Sequence, residues 1–155
     1  MSHESALAWL ARHAPDIRLI DQAQSTATVA EAAATLGVEP GRIAKTLAFR
    51  VGDTPMLLVA RGDARLDNAR CKAELGGRPR MLDPAETLAL TGHAVGGVCP
   101  FGLATPLPIL ADRSLLAYPT VFPAAGSRTS SVEVEPRRLA DLIGARWVEI
   151  CKLPE

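Results

Sequence analysis

The sequence predicts a mixed α/β fold in which residues 1–155 form one domain built on one β-sheet. The length and the 48% hydrophobic and 22% charged content are typical of a single globular domain with a buried core. Residues 43–51 alternate with the period of a strand, and a turn joins them to a second apolar run at 56–60, so a β-hairpin is expected. Segments with helix-capping residues lie between the strand-like runs, which indicates helices interspersed with strands.

Before the hairpin, a short helix is expected over residues 4–12 and a first strand over residues 17–20. The clearest helix of the sequence follows. Thr28 occupies its N-cap position, Glu31 the capping-box position, and Gly37 the C-terminal stop.

After the hairpin, residues 66–75 predict a helix that Gly76 stops, and residues 80–82 a short strand. Asp83 as N-cap and Pro84 at the first position begin another helix, which ends near residue 92. The second half is expected to contain strands at 107–111, 114–117, 120–122, 130–135 and 147–150, with a helix at 136–144.

Composition excludes several classes of protein. No apolar run is long enough for a transmembrane helix, and the first residues lack the pattern of a signal peptide, so a cytoplasmic protein is expected. Cys71, Cys99 and Cys151 lie far apart without a Cys-x-x-Cys pair, and no histidine has ligand spacing with them. No disulfide framework, metal site or cofactor is therefore expected.

The first strand of the hairpin carries a single charge on its apolar face. Ile43, Leu47, Phe49 and Val51 share that face with Lys45. A buried ammonium is unfavourable unless it is paired or opens into a pocket. Lys45 is therefore either a lysine whose stem covers apolar surface at a strand end, or the charged centre of a binding cleft.

The net charge of zero conceals a basic segment. Residues 42–80 contain nine basic and four acidic side chains, and the rest of the chain is acidic to the same extent. Such a split indicates a surface that could face a polyanion such as RNA, although a solvated helix surface gives the same pattern.

A segment rich in glycine and proline runs from residue 92 to residue 108. Gly96 and Gly97 allow a ligand to approach the main chain, and N–H groups in such a loop can hold an ester carbonyl or a developing oxyanion. The glycines match neither a dinucleotide fingerprint nor a P-loop. Alone, a double glycine is equally consistent with a tight turn.

Together, these two motifs resemble the YbaK/prolyl-tRNA synthetase-associated editing domains. Lys45-Thr46-Leu47, after a helix ending in Leu36-Gly37, is similar to that family's lysine strand, and VGGVCPFG at residues 95–102 is similar to its glycine loop. The resemblance covers residues 17–151. Cys99 departs from it, because relatives often have serine or threonine there, which leaves the amino-acid specificity open.

The resemblance implies a mixed sheet that is partly barrel-like and surrounded by helices. It also implies a trans-editing enzyme that hydrolyses the ester of mischarged tRNA, such as tRNA-Pro carrying alanine, cysteine, serine, threonine or 2-aminobutyrate. The expected partners are the acceptor end of an aminoacyl-tRNA and an aminoacyl-tRNA synthetase, with no membrane and no metal. The expected site residues are Lys45, Gly96 and Gly97 for catalysis, Thr46, His93, Cys99, Pro100 and Phe101 for substrate binding, and Arg61, Arg65, Arg70 and Lys72 for tRNA binding.

In the mechanism that this implies, Lys45 binds phosphate or ribose oxygens of the CCA end and holds the ester over the amides of Gly96 and Gly97 while water attacks. Lys45 could instead act as a general base with a lowered pKa. Two rival interpretations remain. In one, Cys99 is a nucleophile assisted by His93; in the other, the chain is a catalytically silent tRNA- or synthetase-binding module of the same fold.

Overall fold

A mixed β-sheet forms the centre of the protein in the computed structural model, which describes residues 2–154. Its α-helices are α1 (Ser2–His13), α2 (Val29–Leu36), α3 (Asn68–Leu75), α4 (Pro84–Thr91) and α5 (Pro136–Ile143). Its strands are β1 (Leu19–Asp21), β2 (Ile43–Val51), β3 (Thr54–Arg61), β4 (Arg65–Leu66), β5 (Arg80–Met81), β6 (Ile109–Asp112), β7 (Phe122–Pro123), β8 (Ser130–Val132), β9 (Arg146–Val148) and β10 (Cys151–Lys152). Short 3-10 helices lie at Pro40–Arg42 and Arg113–Ala117.

The six-stranded sheet has the order β5-β2-β3-β6-β9, and β7 also pairs with β2. β2 and β3 are antiparallel, whereas β6 is parallel to both β3 and β9. β1 with β8 and β4 with β10 form separate two-stranded sheets. The predicted mixed α/β fold is confirmed. The six-stranded mixed sheet is the one on which the domain is built, with the two short pairs beside it, and the strand path within residues 2–154 stays open and does not close into a barrel.

Strand β2 is paired along one edge and only partly along the other. Its inner edge pairs with β3 over residues 44–51. On its outer edge, β7 pairs with residues 43–44 and β5 with residues 49–50. The amide of Leu82 also donates to the carbonyl of Ala48 at 3.0 Å. A gap therefore remains in the outer edge at residues 45–47.

The expected capping residues define the observed ends of the helices near the sheet. The hydroxyl of Thr28 accepts a hydrogen bond from the amide of Glu31 at 3.1 Å, and Gly37 adopts a left-handed φ of 70° at the end of α2. Asp83 caps α4 in the same way. The third helix begins at Asn68, two residues later than predicted, because the side chain of Asp67 caps it.

Two predictions in the second half are wrong, and the carboxylate of Asp112 accounts for both. The segment 114–117 is a 3-10 turn instead of a strand, since Asp112 accepts from the amide of Ser114 at 3.0 Å and caps the turn. The same carboxylate accepts from the amide of Ile150 at 2.9 Å. Because the amide of Ile150 is bound to Asp112, β9 ends at Val148, before the predicted end at residue 150. The chain then forms β10, which was not predicted from the sequence.

Both faces of the β2–β3 hairpin are covered. On one face, Val59 packs with Val132 and Leu139 of β8 and α5. On the other face, Leu58 packs with Phe49 and Ile150. The alternation in the sequence of β2 thus separates two packing surfaces, not a core face and a solvent face. No helix within residues 2–154 is long and apolar enough to cross a membrane.

Candidate functional site

A cavity of about 360 Å³ lies beside the outer edge of β2. The lysine strand forms its floor, and the ends of β5 and β7, the start of α2 and the glycine loop form its walls. The lining residues are Thr26, Ala27, Thr28, Val29, Ala32, Ile43, Ala44, Lys45, Thr46, Leu47, Ala48, Met81, Leu82, Thr87, Val95, Gly96, Val98, Phe122, Ala124 and Ser131. The two motifs that the sequence singled out, fifty residues apart, therefore face one cavity.

Thr46 contributes a polar group to an otherwise largely apolar floor. Its hydroxyl is buried, and no residue within 2–154 forms a hydrogen bond with it. A buried hydroxyl without a partner is unfavourable by about 1–3 kcal/mol, so such a group is rare in a folded protein. Its position on the cavity floor indicates that a bound molecule could supply the partner.

Lys45 also lies on the cavity wall, but its ammonium group is directed away from the glycine loop. Nζ donates a hydrogen bond to the carbonyl of Ala64, which packs in the cluster that contains Phe49. Because side chains alternate along a strand, Lys45 and Thr46 point to opposite faces of the sheet. Burial lowers the pKa of Lys45, and the nearby Cys151 and Asp63 act in the opposite direction.

The glycine loop is packed tightly against the segment that follows β7. Gly96 has a φ of 97°, and a methyl group at this position would lie 3.3 Å from the Cβ of Ala27. A methyl group at Gly97 would lie 3.1 Å from the backbone of Ser127. The amide of Gly97 donates to the carbonyl of Ala94 at 3.0 Å, so this N–H is already used within the loop. Of the two glycines, Gly96 lines the cavity.

Arg128 is a cation beside the cavity that the sequence analysis missed. Its guanidinium donates to the carbonyl of Val95 at 3.3 Å, and a methyl group at Gly96 would lie 3.2 Å from its Nε. Its own carbonyl accepts from both the amide and the hydroxyl of Thr26, at 2.5 and 3.0 Å. The exposed side chain therefore connects the glycine loop to the wall of the cavity. No motif in the sequence relates Arg128 to a loop thirty residues earlier.

The predicted substrate-binding residues other than Thr46 lie outside the cavity. His93, Cys99 and Phe101 are fully or almost fully buried, and none of them lines the cavity. Pro100 borders a different groove, between α1 and α5. None of these four residues therefore contacts the cavity in this structure.

The geometry argues against Cys99 as a nucleophile. Its sulfur lies 3.5 Å from His93 Nε2, but that nitrogen also forms a 2.7 Å hydrogen bond with the carbonyl of Phe101. Burial raises the pKa of the Cys99 thiol to about 12. Burial also lowers the pKa of His93. A nucleophilic thiolate needs the opposite environment, with positive charge and access to solvent.

The predicted tRNA-binding residues differ in how free their charges are. Arg61 forms a bidentate ion pair with Asp63, at 2.6 and 3.0 Å. Arg70 donates to the carbonyl of Cys151 at 2.6 Å. Arg65 and Lys72 are exposed. Within residues 2–154, no group of three or more histidine, cysteine or acidic side chains could hold a metal ion.

Comparison with known proteins gives relatives of similar length. The aminoacyl-tRNA editing domain family matches residues 23–142. YwhH of Bacillus subtilis is 48% identical over 130 residues, which are 83% of this chain and 83% of YwhH. EbsC of Enterococcus faecalis, named as a candidate Cys-tRNA(Pro)/Cys-tRNA(Cys) deacylase, is 31% identical over 81% of this chain and 76% of its own.

The match extends to longer proteins and to solved structures. The proline–tRNA ligase of Solidesulfovibrio magneticus is 34% identical over 75% of this chain, which corresponds to 20% of the ligase. The crystal structure of a candidate trans-editing enzyme for prolyl tRNA synthetase has a TM-score of 0.89 and 34% identity, with 97% of each chain covered. The hypothetical protein APE2540 has a TM-score of 0.87 and 32% identity, over 96% of this chain and 99% of its own. The chain belongs to the aminoacyl-tRNA editing domain family.

Proposed function

We propose that this protein is a trans-editing deacylase, which hydrolyses the ester between a small amino acid and the 3′ end of a tRNA in the cytoplasm. The observation that carries the proposal is the single cavity that joins the lysine strand to the glycine loop in a member of this family. The named relatives favour tRNA-Pro as the tRNA, because two of them are described through prolyl-tRNA synthetase or tRNA(Pro).

The size of the cavity supports a small aminoacyl group. A volume of about 360 Å³ is at the lower end of the range for ligand pockets. Its walls include Ala27, Val29, Ala32 and Ala48, which provide apolar surface and no charge. Alanine, cysteine, serine, threonine and 2-aminobutyrate remain candidates, since an apolar pocket discriminates one methylene group by only about 1–3 kcal/mol.

The proposed reaction needs a water molecule and no covalent intermediate. The oxygen of water attacks the carbonyl carbon of the ester, and the bond from that carbon to the ribose oxygen breaks. The ribose oxygen takes a proton, so that the products are a free amino acid and intact tRNA. An aminoacyl ester is already activated, and positioning together with electrostatic stabilisation could supply most of the rate enhancement.

Lys45 is proposed to supply positive charge to phosphate or ribose oxygens of the CCA end. To do so, its ammonium group must exchange the carbonyl of Ala64 for the substrate, a rotation of a flexible side chain. Arg128 provides a second cation at the cavity, next to Gly96. Gly96 is the loop residue proposed to contact the ester, and Arg65 and Lys72 are proposed to contact the acceptor stem.

Deacylation by wild-type protein, Lys45→Ala and Lys45→Arg tests this assignment. With tRNA-Pro charged with each of the five amino acids, Lys45→Ala is expected to lose at least about tenfold in rate, because one charge contact with the substrate is removed. Lys45→Arg keeps the charge but cannot act as a base. Substantial activity of Lys45→Arg supports positioning, whereas its inactivity together with that of Lys45→Ala supports a general base. Full activity of a correctly folded Lys45→Ala contradicts both roles.

A further inference from the structure

Within residues 2–154, the gap in the outer edge of β2 leaves the backbone of one residue without a pairing strand on that side. Antiparallel partners alternate between pairs that exchange both hydrogen bonds and pairs that exchange none. The amide of Leu57 donates to the carbonyl of Pro108, away from β2, and the carbonyl of Ala48 accepts from Leu82, away from β3. Ala48 and Leu57 are opposite each other and therefore form a pair that exchanges no hydrogen bonds.

The same alternation fixes the direction of the neighbouring peptide groups. Thr46 lies two residues before Ala48 and is opposite Val59, so its N–H and C=O also point away from β3. Lys45 and Leu47 direct theirs toward β3. Because β7 pairs only as far as residue 44 and β5 begins at residue 49, no strand within residues 2–154 covers the outer edge at Thr46.

Thr46 therefore has three polar groups beside the cavity that it lines. Its backbone supplies one donor and one acceptor at the strand edge, and its buried hydroxyl has no hydrogen-bond partner within residues 2–154. Strand-edge groups are a ready template for any molecule with a matching donor and acceptor. In an antiparallel pair, one edge residue binds the N–H and the C=O of a single partner residue. A ligand that binds Thr46 in this way therefore needs a donor and an acceptor spaced as in one amino acid.

We infer that Thr46 binds the aminoacyl group of the substrate as a one-residue addition to the sheet. This inference rests on the proposed function and deepens it. The α-ammonium donates to the carbonyl of Thr46, and the ester carbonyl accepts from its amide, as in a hydrogen-bonded antiparallel pair. The Thr46 hydroxyl accepts a further hydrogen bond from the α-ammonium.

Two consequences follow for recognition. The contacts involve the α-ammonium and the carbonyl, so they recognise an α-amino acid irrespective of its side chain, and the apolar walls are left to limit its size. The amide of Thr46 also faces the carbonyl on which negative charge develops during attack by water. The protein thus selects substrates with a free α-amine, and an N-acylated aminoacyl ester or one without the amine should bind poorly.

The test uses two stable analogues of the aminoacyl end, in which an amide replaces the ester. One is 3′-deoxy-3′-alanylaminoadenosine, and its control is the 3′-propionylamino compound, which lacks only the α-amine. Titration of ¹⁵N-labelled protein should shift the amide resonance of Thr46 and slow its exchange with water. The alanyl compound should bind about 10–100-fold more tightly, as expected for hydrogen bonds of a charged group.

The other outcomes separate this inference from the proposed function. If the alanyl compound shifts Gly96 and Val98 but leaves Thr46 unchanged, or if both compounds bind equally well, the strand-edge role is wrong and the editing function is not. If neither compound affects any cavity residue while mischarged tRNA is still hydrolysed, the inference also fails. If that tRNA is not hydrolysed either, both are wrong. Thr46→Val keeps the backbone but removes the hydroxyl, so it should weaken the binding of the alanyl compound and leave the binding of the propionyl compound unchanged. Thr46→Ser should restore the binding of the alanyl compound.

Discussion

Replacement of Gly96 by alanine tests whether the glycine loop serves the cavity or is only a tight turn. The φ of 97° is unfavourable for any residue with a Cβ, at a cost of about 1–2 kcal/mol. The new methyl group would also lie 3.3 Å from the Cβ of Ala27 and 3.2 Å from Nε of Arg128. The flexible arginine can move, but Ala27 is fixed to its backbone, so the loop itself must shift by a few tenths of an ångström.

Gly76→Ala is the matched control, because Gly76 has a φ of 84° and no atom lies within 4 Å of the added methyl group. It imposes similar backbone strain at the end of α3, away from the cavity. Both variants should melt about 2–8 °C below the wild type, given roughly 2–4 °C for each kcal/mol in a chain of this length.

Activity should separate the two variants. Single-turnover deacylation, measured at a temperature at which both are folded, should fall about 10–100-fold in Gly96→Ala and stay unchanged in Gly76→Ala, since small displacements at a reacting centre have effects of this size. Equal activities with equal losses of stability would show that the loop is a turn without a role in the reaction.

Three further predictions concern other parts of the structure. Cys99→Ala should hydrolyse mischarged tRNA at a rate close to that of the wild type, because the buried thiol with a pKa of about 12 does not form a nucleophile, and a loss of activity without a loss of folded protein would contradict this. Wild-type protein should lose stability relative to His93→Gln as the pH falls from about 7 to about 5. Burial holds the pKa of His93 in the folded protein below its value in the unfolded chain, so protonation favours unfolding. Urea unfolding curves whose stabilities change in parallel with pH for the two proteins would refute this prediction. Lys72→Ala should reduce the magnitude of the slope of log affinity for tRNA against log salt concentration by the amount of about one phosphate contact. Arg61→Ala should change the slope less, since Arg61 is already paired with Asp63. Equal slopes for the wild type and Lys72→Ala would exclude Lys72 from the interface.

Local signals in the sequence predict the elements around the site well. The Thr28 cap of α2, the hairpin of β2 and β3, and the Asp83 cap of α4 are each encoded within a few residues, because capping and turn formation are short-range interactions. Recognition of the lysine strand and the glycine loop was sufficient to identify the family.

Features that depend on distant residues could not be predicted in this way. The carboxylate of Asp112 determines both the 3-10 turn at 113–117 and the end of β9, through a contact with Ile150. The gap beside Thr46 exists because two short strands from separate parts of the chain pair with β2 on either side of it. The position of Arg128 beside Gly96 likewise depends on contact between segments that are distant in the sequence.

The most direct test of the central claim is the lifetime of the ester bond in mischarged tRNA-Pro. Wild-type protein would be added to tRNA-Pro charged with alanine, cysteine, serine, threonine or 2-aminobutyrate, and beside these to correctly charged Pro-tRNA-Pro. An editing deacylase should release at least one small amino acid much faster than the uncatalysed reaction while it leaves Pro-tRNA-Pro intact. Unchanged lifetimes for every ester, with tRNA still bound, would contradict the claim and identify the chain as a binding module of the same fold.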